Sequence, residues 1–438
     1  FPPPHTECAD YGRQRRLPRR QREANDCPGV AAFHQGSVVP RLMPDPAVGS
    51  HVWLDRSGLQ ALIDALAATG YRVVGPQVAD AAIVLRDLDD AAQLPHGWLD
   101  EQDGGSYRLS YDPAAGTFDH VVGPHSLKNF LFPPRETIQR FERTHVAGQD
   151  GAWQERAVAH DDRPLAVIGV RGCDLAALAV QDAVFIRNDW CDPAYAARRA
   201  RLFLVAVNCR RAAATCFCHS MGTGPAAATG FDLALTEFTD RFAVEVGTPA
   251  GADCLAIVAE QAALPSCTAA EIDAVRSVPR DLHVRMEARM PERDRPRPRS
   301  LNTAGIRNLL FDNLEHPRWR DVAERCLSCA NCTLVCPTCF CHSVEEVADL
   351  SGDHVARDRR WASCFTLDHG RMHGGNARPT TASRYRQWLT HKLAGWIDQF
   401  GTSGCTGCGR CITWCPVGID ITEEVAAIRG TTDTEAGA

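Results

Sequence analysis

The sequence contains the stretch Cys326-Leu-Ser-Cys329-Ala-Asn-Cys332-Thr-Leu-Val-Cys336-Pro337, and its spacing recurs in Cys405-Thr-Gly-Cys408-Gly-Arg-Cys411-Ile-Thr-Trp-Cys415-Pro416. Both stretches follow C-x2-C-x2-C-x3-C-P, a pattern typical of bacterial-type iron–sulfur proteins. Three thiolates at this spacing surround one cubane cluster, while the fourth cysteine begins the next helix and binds the neighbouring cluster. A proline after that cysteine suits a helix start, because its missing N–H is not needed there.

Crossed ligation of this kind predicts two [4Fe–4S] clusters. The expected ligands are Cys326, Cys329, Cys332 and Cys415 for the first cluster, and Cys405, Cys408, Cys411 and Cys336 for the second. Zinc is the main alternative, but four-cysteine zinc sites usually combine two C-x2-C pairs without a third cysteine at the same interval. Haem attachment is excluded, because C-x-x-C-H occurs nowhere in the sequence.

A third group of cysteines lies in the N-terminal half. The hexapeptide Thr215-Cys-Phe-Cys-His-Ser220 recurs letter for letter as Thr338-Cys-Phe-Cys-His-Ser343. The cysteines of its first copy follow closely after Cys209, and a further cysteine ends a neighbouring predicted strand. We therefore predict a third [4Fe–4S] cluster on Cys173, Cys209, Cys216 and Cys218. Buried structural thiols are the alternative, since free cysteine is commonly a core residue.

The second copy of the hexapeptide has no complete set of four cysteines. It offers Cys339 and Cys341, and Cys364 adds a third thiol. A histidine would have to complete a metal site, and the candidates are His342, His369 and His373. We expect these thiols to pack beside the two clusters rather than to bind metal.

The region from about residue 51 alternates predicted strands and helices, which favours an α/β domain with some parallel sheet. Leu165–Val170 and Leu202–Val207 are buried-strand patterns, and Cys173 and Cys209 follow their carboxyl ends. Ligands gather beyond the carboxyl ends of parallel strands. The C-terminal region instead shows helical stripes of apolar residues, with the cysteine loops at the helix ends.

We predict an α/β N-terminal domain followed by a helical dicluster [4Fe–4S] ferredoxin-like domain. The expected parts are an irregular extension over residues 1–50, the α/β domain over 51–285, a charged linker over 286–300 and the dicluster domain over 301–438. The 45% apolar and 23% charged fractions are those of a globular protein. The net charge of -7 does not indicate nucleic-acid binding. Only Lys128 and Lys392 among the 47 basic residues are lysines, from which we derive no function.

No apolar run has the length of a membrane helix, and no signal peptide is visible. The cysteine usage indicates the reducing cytoplasm, and no membrane insertion is expected. The sequence also lacks a dinucleotide-binding G-x-G-x-x-G after a strand, a Walker loop and H-E-x-x-H. It therefore predicts no catalytic residue, and indicates an electron relay. A cluster-bearing regulator would need a DNA-binding element, and no helix-turn-helix pattern is present.

Several segments resemble one family of electron-transfer subunits. They are Gly169-Val-Arg-Gly-Cys-Asp-Leu-Ala-Ala177, Asp192-Pro-Ala-Tyr-Ala-Ala-Arg-Arg199, the first hexapeptide with Met221-Gly-Thr-Gly-Pro225, Cys326 through Cys341, Arg384-Tyr-Arg-Gln-Trp-Leu-Thr-His-Lys-Leu393 and residues 404–422. The family is the beta chain of cytoplasmic NAD(P)-linked [NiFe] hydrogenases, also called sulfhydrogenases. The iron–sulfur electron-transfer subunit of anaerobic sulfite reductase is similar to it.

The resemblance implies partners that spacing does not reveal. In that family a reductase subunit that binds FAD and NAD(P) docks on one side, and the [NiFe] hydrogenase small and large subunits lie on the other. A chain of this kind would relay single electrons between flavin and hydrogenase. The alternative is a relay in a siroheme sulfite reductase, and the residues do not separate the two.

Overall fold

The computed structural model describes residues 47–146, 149–158, 163–187, 189–289 and 299–435. Nearly all of the predicted extension over residues 1–50, and the middle of the predicted linker, lie outside these residues. The strands in the described part are β1 (His51–Asp55), β2 (Arg72–Ala79), β3 (Ala82–Asp87), β4 (Trp98–Asp103), β5 (Ser106–Tyr111), β6 (Arg135–Val146), β7 (Gln149–Arg156), β8 (Leu165–Val170), β9 (Leu202–Val207), β10 (Leu233–Glu237), β11 (Arg241–Val246), β12 (His342–Ala348), β13 (His354–Trp361), β14 (Arg371–Met372) and β15 (Gly375–Asn376).

The α-helices of the described part follow in the same way. They are α1 (Gly58–Ala68), α2 (Lys128–Leu131), α3 (Gly172–Phe185), α4 (Pro193–Ala200), α5 (Cys218–Met221), α6 (Pro249–Val258), α7 (Ala269–Glu287), α8 (Ile306–Asp312), α9 (Arg318–Arg325), α10 (Asn331–Leu334), α11 (Thr381–Thr390), α12 (Trp396–Phe400), α13 (Arg410–Thr413) and α14 (Ile421–Glu435). A π-helical segment over His391–Gly395 joins α11 to α12, and Ala91–Gln93 and Asp368–Gly370 are short 3₁₀ turns. None of these helices is both long and apolar enough to cross a membrane.

A mixed sheet of seven strands organises the N-terminal region. Its order is β1-β11-β10-β9-β8-β2-β3, and the four strands β10, β9, β8 and β2 are parallel to one another. Successive side chains of a strand point to opposite faces. Val205 and Val207 accordingly pack with α1 and α6, whereas Leu204 and Ala206 pack with α3 and α4. Helices therefore cover both faces of the sheet.

Both buried strands that the sequence predicts in this region are confirmed. Leu165–Val170 is β8, Leu202–Val207 is β9, and the two are parallel neighbours. Their carboxyl ends meet at one edge of the sheet, which brings the segments that carry Cys173 and Cys209 to the same place.

Helix α1 has a different N-terminal cap from Ser57, the residue that its sequence predicts as the cap. Leu59, Leu62, Ile63 and Leu66, which the sequence places on one face of this helix, are buried. Ser57, however, has helical backbone angles and makes no side-chain cap. The carboxylate of Asp55 accepts hydrogen bonds from the Gly58 N–H at 2.8 Å and the Ser57 hydroxyl at 2.7 Å instead. An aspartate is an equally good acceptor for the free N–H groups of a helix start.

The C-terminal region is less purely helical than predicted. Helices α8, α9, α11 and α12 follow the predicted apolar stripes, and Gly401 ends α12 with a φ of 72°. Between them lies the antiparallel hairpin of β12 and β13, which the sequence analysis does not predict. This hairpin pairs with β6 to form a second sheet of order β12-β13-β6-β7. Its partner strand lies more than 200 residues earlier in the chain, so local patterns do not reveal it.

Helix α7 likewise extends beyond the expected end of the α/β domain. It continues to Glu287, and Met286 is buried beside the cysteines of the N-terminal half. The division into domains at 285 and 301 stays a prediction.

Candidate iron–sulfur sites

The two cysteine stretches form loops of the same local geometry. In the first, Ser328 and Ala330 have positive φ values of 50° and 69°, and in the second Gly407 and Gly409 occupy the equivalent positions at 64° and 80°. The backbone N–H of Ser328 donates to Cys326 Sγ at 3.4 Å, and that of Gly407 donates to Cys405 Sγ at 3.4 Å. Amide groups that point at sulfur stabilise a cluster of thiolates. Each loop is thus shaped to hold thiolates with N–H donors around them.

The structure brings the fourth cysteine of each stretch to the other stretch. Cys415 lines one cavity together with Cys326, Cys329 and Cys332, and Cys411 of the second stretch lines the same cavity. Cys336 lies beside the second stretch, where its thiol interacts electrostatically with those of Cys405, Cys408 and Cys411. This arrangement fits two clusters with crossed ligands.

The four cysteines of the N-terminal half also lie together. Cys173 lies in the first turn of α3, Cys209 follows β9, and Cys216 and Cys218 lie at the start of α5. They pack with Val121, Val122, Leu282 and Met286, and with Cys408 of the second stretch. The thiols of Cys173, Cys216 and Cys218 all interact with the Cys408 thiol. The predicted third site therefore adjoins the second cysteine stretch directly.

Backbone contacts join these two sites. The Phe217 N–H donates to the Gly407 carbonyl at 2.8 Å, and the Thr223 hydroxyl donates to the Thr406 carbonyl at 2.6 Å. A Cβ atom on Gly407 would lie 2.7 Å from Cα of Cys218, and one on Gly409 would lie 2.5 Å from the Thr215 carbonyl oxygen. Glycine is required at both positions because of this close approach, since Ser328 and Ala330 adopt a positive φ at the equivalent positions of the first stretch.

Arg410 connects the two sites through charge. Its buried guanidinium donates to Asp174 Oδ1 at 2.8 Å and to the carbonyls of Gly123 and His125 at 2.8 and 3.0 Å. Burial opposes its charge, but Asp174 and the thiols of Cys408 and Cys173 raise the pKa of Arg410 above its usual range. The side chain is therefore a fixed positive charge between the two groups of cysteines. Arg410 lies within the second cysteine stretch, whereas its partner Asp174 is distant in the sequence.

Lys392 is a site residue that sequence reasoning missed. Its buried ammonium donates to Cys336 Sγ at 3.3 Å, to the Thr338 hydroxyl at 3.1 Å and to the Gly404 carbonyl at 3.2 Å. Burial opposes this charge too, yet the neighbouring thiols, Cys336 first among them, raise the pKa of Lys392 well above its usual range. The sequence feature that could have indicated Lys392 is the rarity of lysine in this arginine-rich chain.

The ionisation of the thiols fits metal binding. Burial raises the pKa of Cys405 to about 12 and that of Cys216 to about 12. A metal centre binds thiolates, so iron must displace protons from these side chains, and binding is favoured as pH rises. Cysteines with N–H donors, buried cations and little water around them suit iron–sulfur clusters.

Comparison with known proteins identifies the class first. Residues 325–419 match the model of the 4Fe-4S dicluster domain, which covers both cysteine stretches. The chain is also 30% identical over 305 residues to sulfhydrogenase 2 subunit beta of Pyrococcus furiosus, an alignment that spans 69% of this chain and 82% of that protein. The chain belongs to the family of sulfhydrogenase beta subunits. It is an iron–sulfur electron-transfer subunit of a hydrogenase complex, and the sulfite reductase alternative is not favoured.

The contact at Gly407 can be tested with a matched pair of variants. Gly407→Ala and Gly401→Ala each place a side chain at a positive φ, at a cost of about 1 kcal/mol. A Cβ meets Cys218 only at Gly407, whereas nothing lies within 4 Å at Gly401. Gly407→Ala should therefore lose iron and unfold at a lower temperature than Gly401→Ala. Iron per chain and the thermal midpoint, measured without oxygen, check this; equal values for the two variants would contradict it.

The charge pair of Arg410 and Asp174 predicts that substitutions of its two members shift the reduction potential in opposite directions. Reduction adds a negative charge to a cluster, so a nearby positive charge raises the potential and a negative charge lowers it. Arg410→Gln should lower the potential of the cluster beside Cys408, and Asp174→Asn should raise it. Potentiometric titration followed by EPR measures both, with the exposed Arg86→Gln as control. A shift of both variants in the same direction would show that packing, not charge, controls the potential.

Proposed function

We propose that this chain relays single electrons between a reductase subunit that binds FAD and NAD(P) and the small and large subunits of a [NiFe] hydrogenase. The observation that carries the proposal is the unbroken series of adjoining thiol groups from Cys209, inside the α/β region, to Cys329 at the surface. Membership of the sulfhydrogenase beta family supports the assembly with hydrogenase subunits. We place this electron transfer in the cytoplasm, where a reducing environment keeps cysteines free for metal.

The series holds three [4Fe–4S] clusters in this proposal. Two belong to the dicluster domain, with Cys326, Cys329, Cys332 and Cys415 on one and Cys405, Cys408, Cys411 and Cys336 on the other. The third is held by Cys173, Cys209, Cys216 and Cys218. Its support is the packing of these four cysteines in one group beside Cys408, with Cys173, Cys216 and Cys218 buried and Cys209 half-buried. Each cluster would pass one electron at a time to the next.

The contacts between groups suggest the order of the clusters. Cys408 adjoins the N-terminal group, and Cys411 interacts with Cys332 of the first stretch. The cluster of the second stretch would therefore be the middle one. Electrons would pass between the α/β region and the first stretch through it.

The surface near the first stretch is suited to exchange with a partner. Cys329 is exposed, whereas the other proposed ligands are buried or half-buried. Leu327 beside it is 63% exposed, and Leu334 and Val417 are exposed as well. An apolar rim around a surface-near cluster lets a partner protein exclude water there. We assign this face to one of the two partners; the face near α7 would serve the other.

Crossed ligation predicts which pairs of variants act on one cluster. Cys336→Ala with Cys405→Ala removes two ligands of the same proposed cluster, so the loss should be about four irons per chain. Cys336→Ala with Cys329→Ala affects two clusters, and about eight irons should be lost. Iron and acid-labile sulfide are counted after anaerobic reconstitution of the full chain. The reverse pattern, with the larger loss for the first pair, would establish ligation within each stretch instead.

The N-terminal cluster has its own test. Cys173→Ser should remove about four irons relative to the unmodified chain, and should remove one component from the EPR spectrum of the reduced protein. Cys254→Ser is the control, since Cys254 is equally buried but packs in the sheet core, away from the other thiols. An unchanged iron count in Cys173→Ser would make the N-terminal cysteines structural thiols.

A further inference from the structure

The second copy of the repeated hexapeptide lies at the open end of a hairpin. Cys339 and Cys341 precede β12, and Cys364 follows β13. The first pair of the hairpin joins His342 to Trp361, and the Ala362 N–H donates to the Cys341 carbonyl at 2.9 Å. The two chain ends that carry these thiols are therefore held side by side.

One of the three candidate histidines lies against the thiols. The Cys341 thiol has side-chain hydrogen bonds with Cys364 and with the imidazole of His369. His369 lies in the 3₁₀ turn Asp368–Gly370. The other two candidates are exposed, and the His342 ring nitrogen lies 3.0 Å from the Phe340 carbonyl oxygen. Cys339 interacts with Cys341 and with Cys336. Three thiols and one imidazole thus lie together, whereas the sequence favoured thiols that pack beside the clusters without binding metal.

A buried cation lies beside these thiols. The Lys128 ammonium is buried, donates to the carbonyls of Thr333 and Leu334 at 3.2 and 2.9 Å, and lies 3.9 Å from the centre of the Trp361 ring. Within the described residues, none of its partners is a carboxylate. Burial lowers the pKa of Lys128 to about 8, and the thiols of Cys339, Cys336 and Cys341 oppose this shift.

An ammonium buried without a counter-charge is costly. Cys336 is a proposed ligand of the second cluster and already has Lys392 at its sulfur. An anionic metal centre on the remaining thiols would supply the counter-charge for Lys128. Since Lys128 and Lys392 are the only lysines of the chain, both would then serve metal centres.

We propose that Cys339, Cys341, Cys364 and His369 bind a further iron–sulfur cluster of the [4Fe–4S] type. The inference rests on the proposed function, which it extends by one centre. Three thiolates and an imidazole would also suit zinc. The cluster is favoured because the same Thr-Cys-Phe-Cys-His-Ser segment contributes two thiols to the N-terminal group, and because these thiols interact with Cys336 and Cys332 of the dicluster.

The test uses the full chain, reconstituted without oxygen with iron and sulfide, followed by counts of iron, sulfide and zinc. Cys364→Ser should lose about four irons relative to the unmodified chain. The control Cys254→Ser replaces a buried thiol that lies in the sheet core, and should lose none. Full retention of iron in Cys364→Ser would overturn the proposal. So would the loss of one zinc in place of iron.

A second pair of variants covers the case in which Cys364→Ser fails to fold. Pulsed EPR of the reduced chain should show the ¹⁴N coupling of a directly bound imidazole. His369→Ala should abolish this coupling, and His369→Cys should abolish it while the iron count is kept. A structural role for His369 would alter stability but not the coupling. Absence of imidazole coupling in the unmodified chain, or persistence of the coupling in both variants, would overturn the proposal.

The iron count of Cys364→Ser tests the further site separately from the N-terminal cluster when Cys173→Ser is measured in parallel. Loss of iron in Cys364→Ser alone supports the further site and rejects the N-terminal one. Loss in Cys173→Ser alone rejects the further site and leaves the proposed relay intact.

Discussion

The close packing of the first hexapeptide on the loop of the second cysteine stretch is the contact on which the rest of the arrangement depends. Gly407 and Gly409 allow the backbone of residues 215–218 to approach within van der Waals distance. The contact places the N-terminal thiols beside Cys408. A larger residue at either glycine would separate the α/β region from the cysteine loops, and the thiol groups would no longer adjoin.

The buried region around the cysteine groups also requires buried positive charges. Thiolate-bound clusters carry net negative charge, and water is largely excluded around them. The chain supplies fixed cations instead, since Arg410 lies between the N-terminal group and Cys408, and Lys392 donates to Cys336. These side chains are held by carbonyls and by Asp174 rather than by solvent. Local charge tunes the potential of an iron–sulfur cluster, so we expect the same groups to influence the reduction potentials.

Much of the candidate site could be predicted from the sequence because its main element is local. The spacing of the two stretches was enough to propose eight ligands, and the strands β8 and β9 were found with the correct bounds. The hairpin of β12 and β13 was not found, because it is stabilised by pairing with β6, far away in the chain. Asp174 was missed for the same reason, since it lies 236 residues from Arg410.

The sequence by itself determined the chemistry of this protein, since three cysteines at intervals of three can reach one cluster whatever the rest of the chain does. Only the tertiary structure decided which groups adjoin one another: the N-terminal thiols and Cys408, Lys392 and Cys336, His369 and Cys341. These contacts join residues that are separated in the chain, and their formation depends on the packing of the sheet, the helices and the loops together. The local spacing predicts which cysteines are ligands, whereas the residues that surround them are brought together only by the fold.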